Sequence, residues 1–278
     1  MKKLYLYNGD LVKSQDPIFS ASSRAHRYGD GFFETMRFFG GRLQHSYHHE
    51  QRVQKSLMLL KMQAPEGGFE QLEQQIEQLC ANSGVKSARV RVSFLREADG
   101  FYTPKNQYTS TLVEILELDY EGYPLNHSGL VLGNYKELSK NSNFLSFLKT
   151  SSSLIYVMAG IHAKEQQWDD CIIFNEMGRV CETVSANIFC VSGDFIVTPP
   201  LSEYCVDGVM RKTVMDLARS YGYEVVEREL TELDLSGCRE IFLTSAAMGI
   251  QWVGDYMGKR LVCVAGKVLS DKLNSREV

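Results

Sequence analysis

Two stretches, FLSFLKTSSSLIYVMA at residues 144–159 and VCETVSANIF at residues 180–189, decide how this chain is read. In the first, Lys149 follows Phe144, Leu145, Phe147 and Leu148, and three serines and a second apolar run come after it. An ammonium in such a setting is costly to desolvate, or it gives up its proton instead. In the second, Glu182 stands between Val180, Cys181 and Val184 in a strand-like pattern. A half-buried amine and a half-buried carboxylate, 33 residues apart, fit two arrangements. One is a structural ion pair. The other is a pair of charged contacts to a cofactor that needs an amine for its aldehyde and an anion for its ring nitrogen.

Further blocks flank this core. Tyr28-Gly29-Asp30-Gly31-Phe32-Phe33-Glu34-Thr35 lies upstream, followed by His49-Glu50-Gln51-Arg52-Val53. Gly208-Val209-Met210-Arg211 and Leu243-Thr244-Ser245-Ala246-Ala247 lie downstream. In this order the blocks resemble the class IV (fold type IV) pyridoxal 5′-phosphate (PLP) enzymes, which include branched-chain and D-amino acid aminotransferases and aminodeoxychorismate lyases. The resemblance runs from about residue 5 to 255.

The resemblance implies a two-domain α/β (α+β) fold, with a smaller N-terminal α/β sandwich and a larger C-terminal pseudobarrel. The domains are expected at 1–118 and 129–278, with residues 119–128, which contain Gly122 and Pro124, as linker. It also implies site residues. Lys149 is the catalytic Schiff-base lysine, and Glu182 faces the pyridine nitrogen. Arg52, Ser185, Ala186, Asn187, Gly208, Val209, Met210, Ser245 and Ala246 complete the cofactor set. Tyr28, Phe33, Arg37, Arg91, Arg96 and Ala247 are the substrate-side positions. A homodimer is expected, with amino acids and 2-oxo acids as small-molecule substrates.

Physical chemistry supports several of these roles independently. A glycine-led helix start at Gly208 presents free N–H groups and the positive end of the helix dipole to an anion. The planar fork of Arg52 suits a phosphate, although an arginine at the edge of an apolar helix stripe is more often a surface residue with a buried stem. On the strand Ala88–Leu95, Arg89, Arg91 and Ser93 share one face and Val90, Val92 and Phe94 the other. That arginine face suits a substrate carboxylate and a solvated sheet surface equally well.

Composition bounds the alternatives. The chain has 278 residues, 44% of them hydrophobic and 23% charged, which is enough for one large or two ordinary domains with real cores. A net charge of −4 gives no electrostatic reason to expect nucleic acid. No apolar run reaches membrane-span length, and the first ten residues lack the apolar core of a signal peptide. Seven cysteines without C-x-x-C spacing point to reduced thiols and the cytoplasm. No metal site is expected, since no glutamate follows His45 in the His45–His49 pair as a zinc-protease helix requires.

Periodicity predicts strands at 3–8, 32–39, 88–95, 109–118, 130–134, 171–174, 180–184, 188–191, 195–198, 224–228 and 240–244. Helices are expected at 45–62 and 69–81, from the Thr150–Ser153 cap residues to about Glu165, from Gly208 onward, and at 266–274. A turn is expected at Ser192-Gly193-Asp194.

The function expected is transfer of an amino group between a branched-chain or other hydrophobic amino acid and a 2-oxo acid. Aminodeoxychorismate lyase, releasing pyruvate and 4-aminobenzoate, is the alternative. A non-catalytic α/β binding protein is the remote one. Departures from the family pattern bear on this choice. Met210 stands where branched-chain aminotransferases carry threonine, as it does in the lyases. The Thr150-Ser151-Ser152-Ser153 run lacks the asparagine and arginine common in the lyases.

Overall fold

Alternation of large apolar side chains along Gly31–Phe39 and Ser87–Arg96 builds the first of two sheets. The structure, a computed structural model, describes residues 1–193 and 195–275. Asp194 of the expected turn and the last three residues of the expected C-terminal domain lie outside that range. The described chain forms two compact units, Met1–Gly122 with Lys149–Ser152, and Tyr123–Leu148 with Ser153 onward.

The first unit contains β1 (Lys3–Tyr7), β2 (Asp10–Val12), α1 (Arg24–Tyr28), β3 (Gly31–Phe39), β4 (Arg42–Leu43), α2 (Ser46–Leu59), α3 (Gly68–Asn82), β5 (Ser87–Arg96) and β6 (Thr109–Glu117). Its antiparallel sheet has the order β2-β1-β6-β5-β3-β4. Phe32, Met36 and Phe38 share a face with Val90, Val92, Phe94, Val113 and Ile115, and pack there against Val53 and Leu57 of α2 and Leu72 and Ile76 of α3. Side chains alternate along a strand, so Phe33, Thr35, Arg37, Arg89, Arg91 and Ser93 fall on the opposite face. Lys149–Ser152 joins this sheet: Phe33 N–H donates to Lys149 O at 2.9 Å and Ser151 N–H to Gly31 O at 2.9 Å. Gly31 permits the close approach of β3 to β5, because a Cβ there would lie 2.4 Å from Phe94 O.

The second unit contains β7 (Leu130–Lys140), α4 (Leu154–Glu165), β8 (Asp170–Asn175), β9 (Val180–Thr183), β10 (Asn187–Ser192), β11 (Phe195–Thr198), α5 (Val209–Ser220), β12 (Glu224–Glu227), α6 (Glu232–Gly237), β13 (Glu240–Ser245), β14 (Gly249–Tyr256), β15 (Lys259–Arg260) and α7 (Ala265–Ser275). Its sheet runs β12-β11-β10-β13-β14-β7-β8-β9, with β15 added on β14. Pairing is mixed: β7 runs parallel to β14 and β8, while β10, β13 and β14 are antiparallel neighbours. One core gathers Leu132, Ile172, Ile188, Ile241, Leu243 and Val253; a second packs Tyr135, Cys171 and Ile173 against Ala159 and Ala163 of α4.

Two differences from the expected elements have physical causes. Strand β7 continues six residues past Asn134 to Lys140, held by its pairing with β8; Lys136–Ser139 are exposed, so no apolar alternation marks this extension. The α4 helix starts only after Ser153, since Thr150 and Ser151 are committed to the β3 edge. Strand β14 and helix α1 were not expected from periodicity at all.

Glu34 projects from the core face of β3 into a buried ionic cluster that fixes α2. Arg52 Nε and Nη2 donate to its two carboxylate oxygens at 2.7 and 2.6 Å, and His49 Nδ1 lies 2.6 Å from Oε2. Burial alone would raise the Glu34 pKa, but Arg52 and His49 carry it down from 4.5 to about 2. His49 is pushed down by burial, against the pull of Glu34. A carboxyl whose folded pKa is depressed stabilises the fold above its unfolded pKa. Here that amounts to about 3 kcal/mol, lost as the pH falls from about 4.5 toward 2. Urea midpoints measured from pH 7 to 3 should therefore fall more steeply for the wild type than for Glu34→Gln. Superimposable acid profiles would contradict the assignment.

Candidate functional site

In the first unit three of the expected site residues, Phe33, Arg91 and Lys149, meet on the face of the β3–β5 sheet opposite its core. The Lys149 ammonium lies 4.5 Å from the centre of the Phe33 ring, and the Arg91 guanidinium carbon lies 3.6 Å from it. Two cations on one aromatic ring are held by its quadrupole and by partial desolvation. Arg91 Nε also lies 3.5 Å from Glu114 Oε1, a partly exposed pair that orients the fork without sealing it. Lys149 is fixed through its backbone by the bond to Phe33, so amine and guanidinium are both referenced to the same residue of β3.

Other expected substrate-side residues have different surroundings. Arg37 is fully buried, with Phe39 and Tyr120 rings at 5.7 and 4.9 Å and an Nη2 bond to Ser87 at 3.1 Å. It is a packed cation of the sheet. Arg96 donates to Asp30, Lys61 O, Leu60 O and Gln107, so its fork is spent on holding a loop. Asp30 is shared with Arg24, whose Nε donates to it at 2.7 Å. Tyr28, at the end of α1, packs its ring at a tilt against Tyr102, with ring centres 5.3 Å apart.

In the second unit two of the expected cofactor-side residues, Glu182 and Asn187, hold one peptide group. Glu182 on β9 is 3% exposed. Its Oε2 accepts from Val206 N–H at 2.8 Å, while Asn187 Nδ2 donates to Val206 O at 2.9 Å. The segment leading into α5 is therefore clamped between β9 and β10. Two residues on, Gly208 caps α5, and a Cβ there would lie 1.9 Å from Asn187 Oδ1. Asn187 pairs in register with Thr244 on β13, next to Ser245. Thr244 Oγ1 is buried with no hydrogen-bond partner among the described residues. Ser245 ends β13 and Ala246 and Ala247 lie in the turn that follows, with Ser245 Oγ accepting from Met248 N–H at 3.3 Å. Ser185 and Ala186 form the turn between β9 and β10, where Ser185 Oγ lies 3.5 Å from Asp170.

Glu182 also has a partner that sequence reasoning missed. Lys140 Nζ, at the end of β7, donates to Glu182 Oε1 at 2.6 Å, to Ser146 O at 2.8 Å and to Tyr156 OH at 2.9 Å. Tyr156 OH in turn donates to Glu182 Oε1 at 2.7 Å. The ion pair anticipated for Glu182 is thus made with Lys140, not Lys149. Lys140 sits in the polar run KELSKNSN, which reads as a solvated loop, so no local signal marked it.

Among the described residues no group of three or more His, Cys, Asp or Glu side chains is placed to hold a metal ion, and no helix is long and apolar enough to cross a membrane.

The model of the amino-transferase class IV family matches residues 31–255. The chain belongs to this family. It is 27% identical over 258 residues to a putative branched-chain-amino-acid aminotransferase of Methanocaldococcus jannaschii, covering 92% of this chain and 88% of that one. It is 25% identical over 251 residues to the aminodeoxychorismate lyase of Vibrio harveyi, covering 89% of each. In fold it is similar to the branched-chain aminotransferase of Thermoproteus uzoniensis, with a TM-score of 0.87, 20% identity and coverage of 97% and 93%. Class IV enzymes depend on PLP.

The residues present fit that group. Glycine-capped α5 offers backbone N–H donors to a phosphate, and Thr244 supplies a buried hydroxyl without a partner. Glu182 has three of its roughly four acceptor positions filled, leaving one on Oε2 for a ring nitrogen.

Because the Gly208 Cα faces the Asn187 carboxamide, Gly208→Ala should destabilise the protein by about 1–3 kcal/mol, as overpacking does. Asn187→Ser in the same chain should recover part of that loss in a double-mutant cycle read by urea denaturation. Strict additivity of the two changes would show that the contact is not the constraint.

Proposed function

We propose that the protein is a PLP-dependent transaminase, exchanging an amino group between a branched-chain or other hydrophobic amino acid and a 2-oxo acid, with Lys149 as the amine that engages the cofactor. The observation that supports this most is the shared Phe33 ring. A reactive amine and a carboxylate-binding guanidinium stand on the same side chain of one strand. When bound, PLP supplies an aldehyde that exchanges amine partners and a ring that takes up the electron pair released at the substrate's α-carbon.

The chain's own residues do the rest. The Arg91 fork binds the α-carboxylate in both half-reactions, which fixes the direction of the bonds at the α-carbon. Lys149 Nζ receives the α-proton and returns it. The Phe33 ring keeps water from one side of that amine and favours an apolar substrate. Glu182 holds negative charge for the ring nitrogen. The Val209 and Met210 N–H groups, Arg52 and Ser245 serve the phosphate; Ala246 follows Ser245, and Ser185, Ala186 and Asn187 follow the strand that carries Glu182. Glu34 orients Arg52 for this role through its two bonds.

A second reading, elimination of pyruvate from aminodeoxychorismate, draws on Met210 in the Gly208-Val209-Met210-Arg211 turn. Met210 is 1% exposed, so its side chain serves the core and only its backbone N–H is offered at the helix start. It therefore says little about the substrate, and transamination is preferred. A homodimer in the cytoplasm is part of the same proposal; the seven cysteines are free thiols, in keeping with a reducing compartment.

Mixing the PLP-loaded protein with a panel of L- and D-amino acids, without any 2-oxo acid, should bleach its visible absorbance with at least one hydrophobic member. Adding a 2-oxo acid should then restore it. Formation of pyruvate and 4-aminobenzoate from aminodeoxychorismate, with no amino acid causing bleaching, would favour the lyase instead. For the active amino acid, Arg91→Ala should raise KM about 10- to 100-fold, the worth of a charge-assisted contact, with a smaller effect on PLP affinity. Unchanged KM in Arg91→Ala would remove Arg91 from the site.

A further inference from the structure

Lys140 has no place in the scheme above, yet it sits against the carboxylate on which the scheme depends. We infer that Lys140 is a positioning residue for the reaction: its ammonium holds part of the charge of Glu182, and so limits how strongly that carboxylate keeps a proton on the ring nitrogen of bound PLP. This rests on the proposed pairing of Glu182 with that nitrogen.

The Lys140 and Glu182 side chains are 5% and 4% exposed and 2.6 Å apart, so their attraction is little screened by water. All three Lys140 donors are used, on Ser146 O, Tyr156 OH and Glu182 Oε1. The ammonium is therefore held in place from three directions. Tyr156 stays a neutral phenol, because burial and the neighbouring Glu182 push its pKa well above 10. It bridges the two charges as acceptor from one and donor to the other.

The distribution over the carboxylate is uneven. Oε1 takes both Lys140 and Tyr156, while Oε2 takes only the Val206 N–H. The open acceptor position on Oε2 lets a ring nitrogen bind without displacing Lys140. A proton on that nitrogen would then be the second positive charge on one carboxylate. Two like charges around a single anion disfavour each other, so Lys140 weakens the hold on the proton.

Nearby groups do not offset this. Cys181 and Cys205 flank the carboxylate with pKa values raised by burial, Cys205 to about 12, so both remain neutral. Glu203 is engaged with Arg179 and Asn175, and Arg211 with Pro199 O and Glu227. Asp207 N–H is bound to Phe147 O.

The test is the ring-nitrogen NMR shift of protein loaded with 15N-labelled PLP, followed against pH. Lys140→Met should move the shift toward the pyridinium position and raise the pH at which the proton leaves by about 1 unit or more. Lys140→Arg, which keeps the charge, should behave as the wild type. Lys140→Gln serves as the neutral variant if Lys140→Met does not fold, with the same shift expected. A wild-type titration in the neutral Lys140 variant, alongside a displaced one in Glu182→Gln, overturns the role of Lys140 and leaves the Glu182 pairing intact. No change in Glu182→Gln overturns the pairing itself, and the inference with it.

Discussion

The desolvated carboxylate of Glu182 is the interaction on which the second unit's architecture turns. A buried anion is tolerated only when its acceptor positions are filled, and here β7, α4 and the segment before α5 each send a donor to it. Removing one donor leaves a buried charge short of partners, which costs more than the single bond is worth. The carboxylate therefore ties the end of β7 to β9 and fixes where α5 begins. Through Val206 the same constraint passes to Asn187 and then to Gly208, where no side chain larger than hydrogen fits.

The first unit repeats the principle with a different purpose. Glu34, Arg52 and His49 form a buried network between β3 and α2, satisfied by forked and ring donors. On the opposite face of β3, Phe33 carries two cations that are only partly buried. The strand thus keeps a fully buried ionic cluster and a partly buried one on opposite faces by the alternation of its side chains.

Much of this was legible in the sequence because the signals are local. Val90, Val92 and Phe94 alternate as a half-buried strand must, and they line the core. Gly208 before an apolar-periodic run marks a helix start, and α5 begins at Val209. What was not legible depends on contacts far apart in the chain. Lys140 reaches Glu182 because β7 pairs with β8 and β8 with β9, a route that no spacing reveals. Arg37, Arg91 and Arg96 are the same residue type on neighbouring strands. Only their packing separates a cation sealed between rings and a loop clamp from an open fork. The return of Lys149–Ser152 to the first sheet was equally hidden, since a run of threonine and serines reads as a helix cap.

The central question is which lysine meets the cofactor's aldehyde. Two candidates exist nine residues apart in sequence, and the account assigns Lys149 to the chemistry and Lys140 to the charge of Glu182. Reducing the PLP-loaded protein with borohydride and mapping the modified peptide by mass spectrometry separates them directly. The phosphopyridoxyl group is predicted on Lys149, with Lys140 unmodified; finding it on Lys140 would contradict the account.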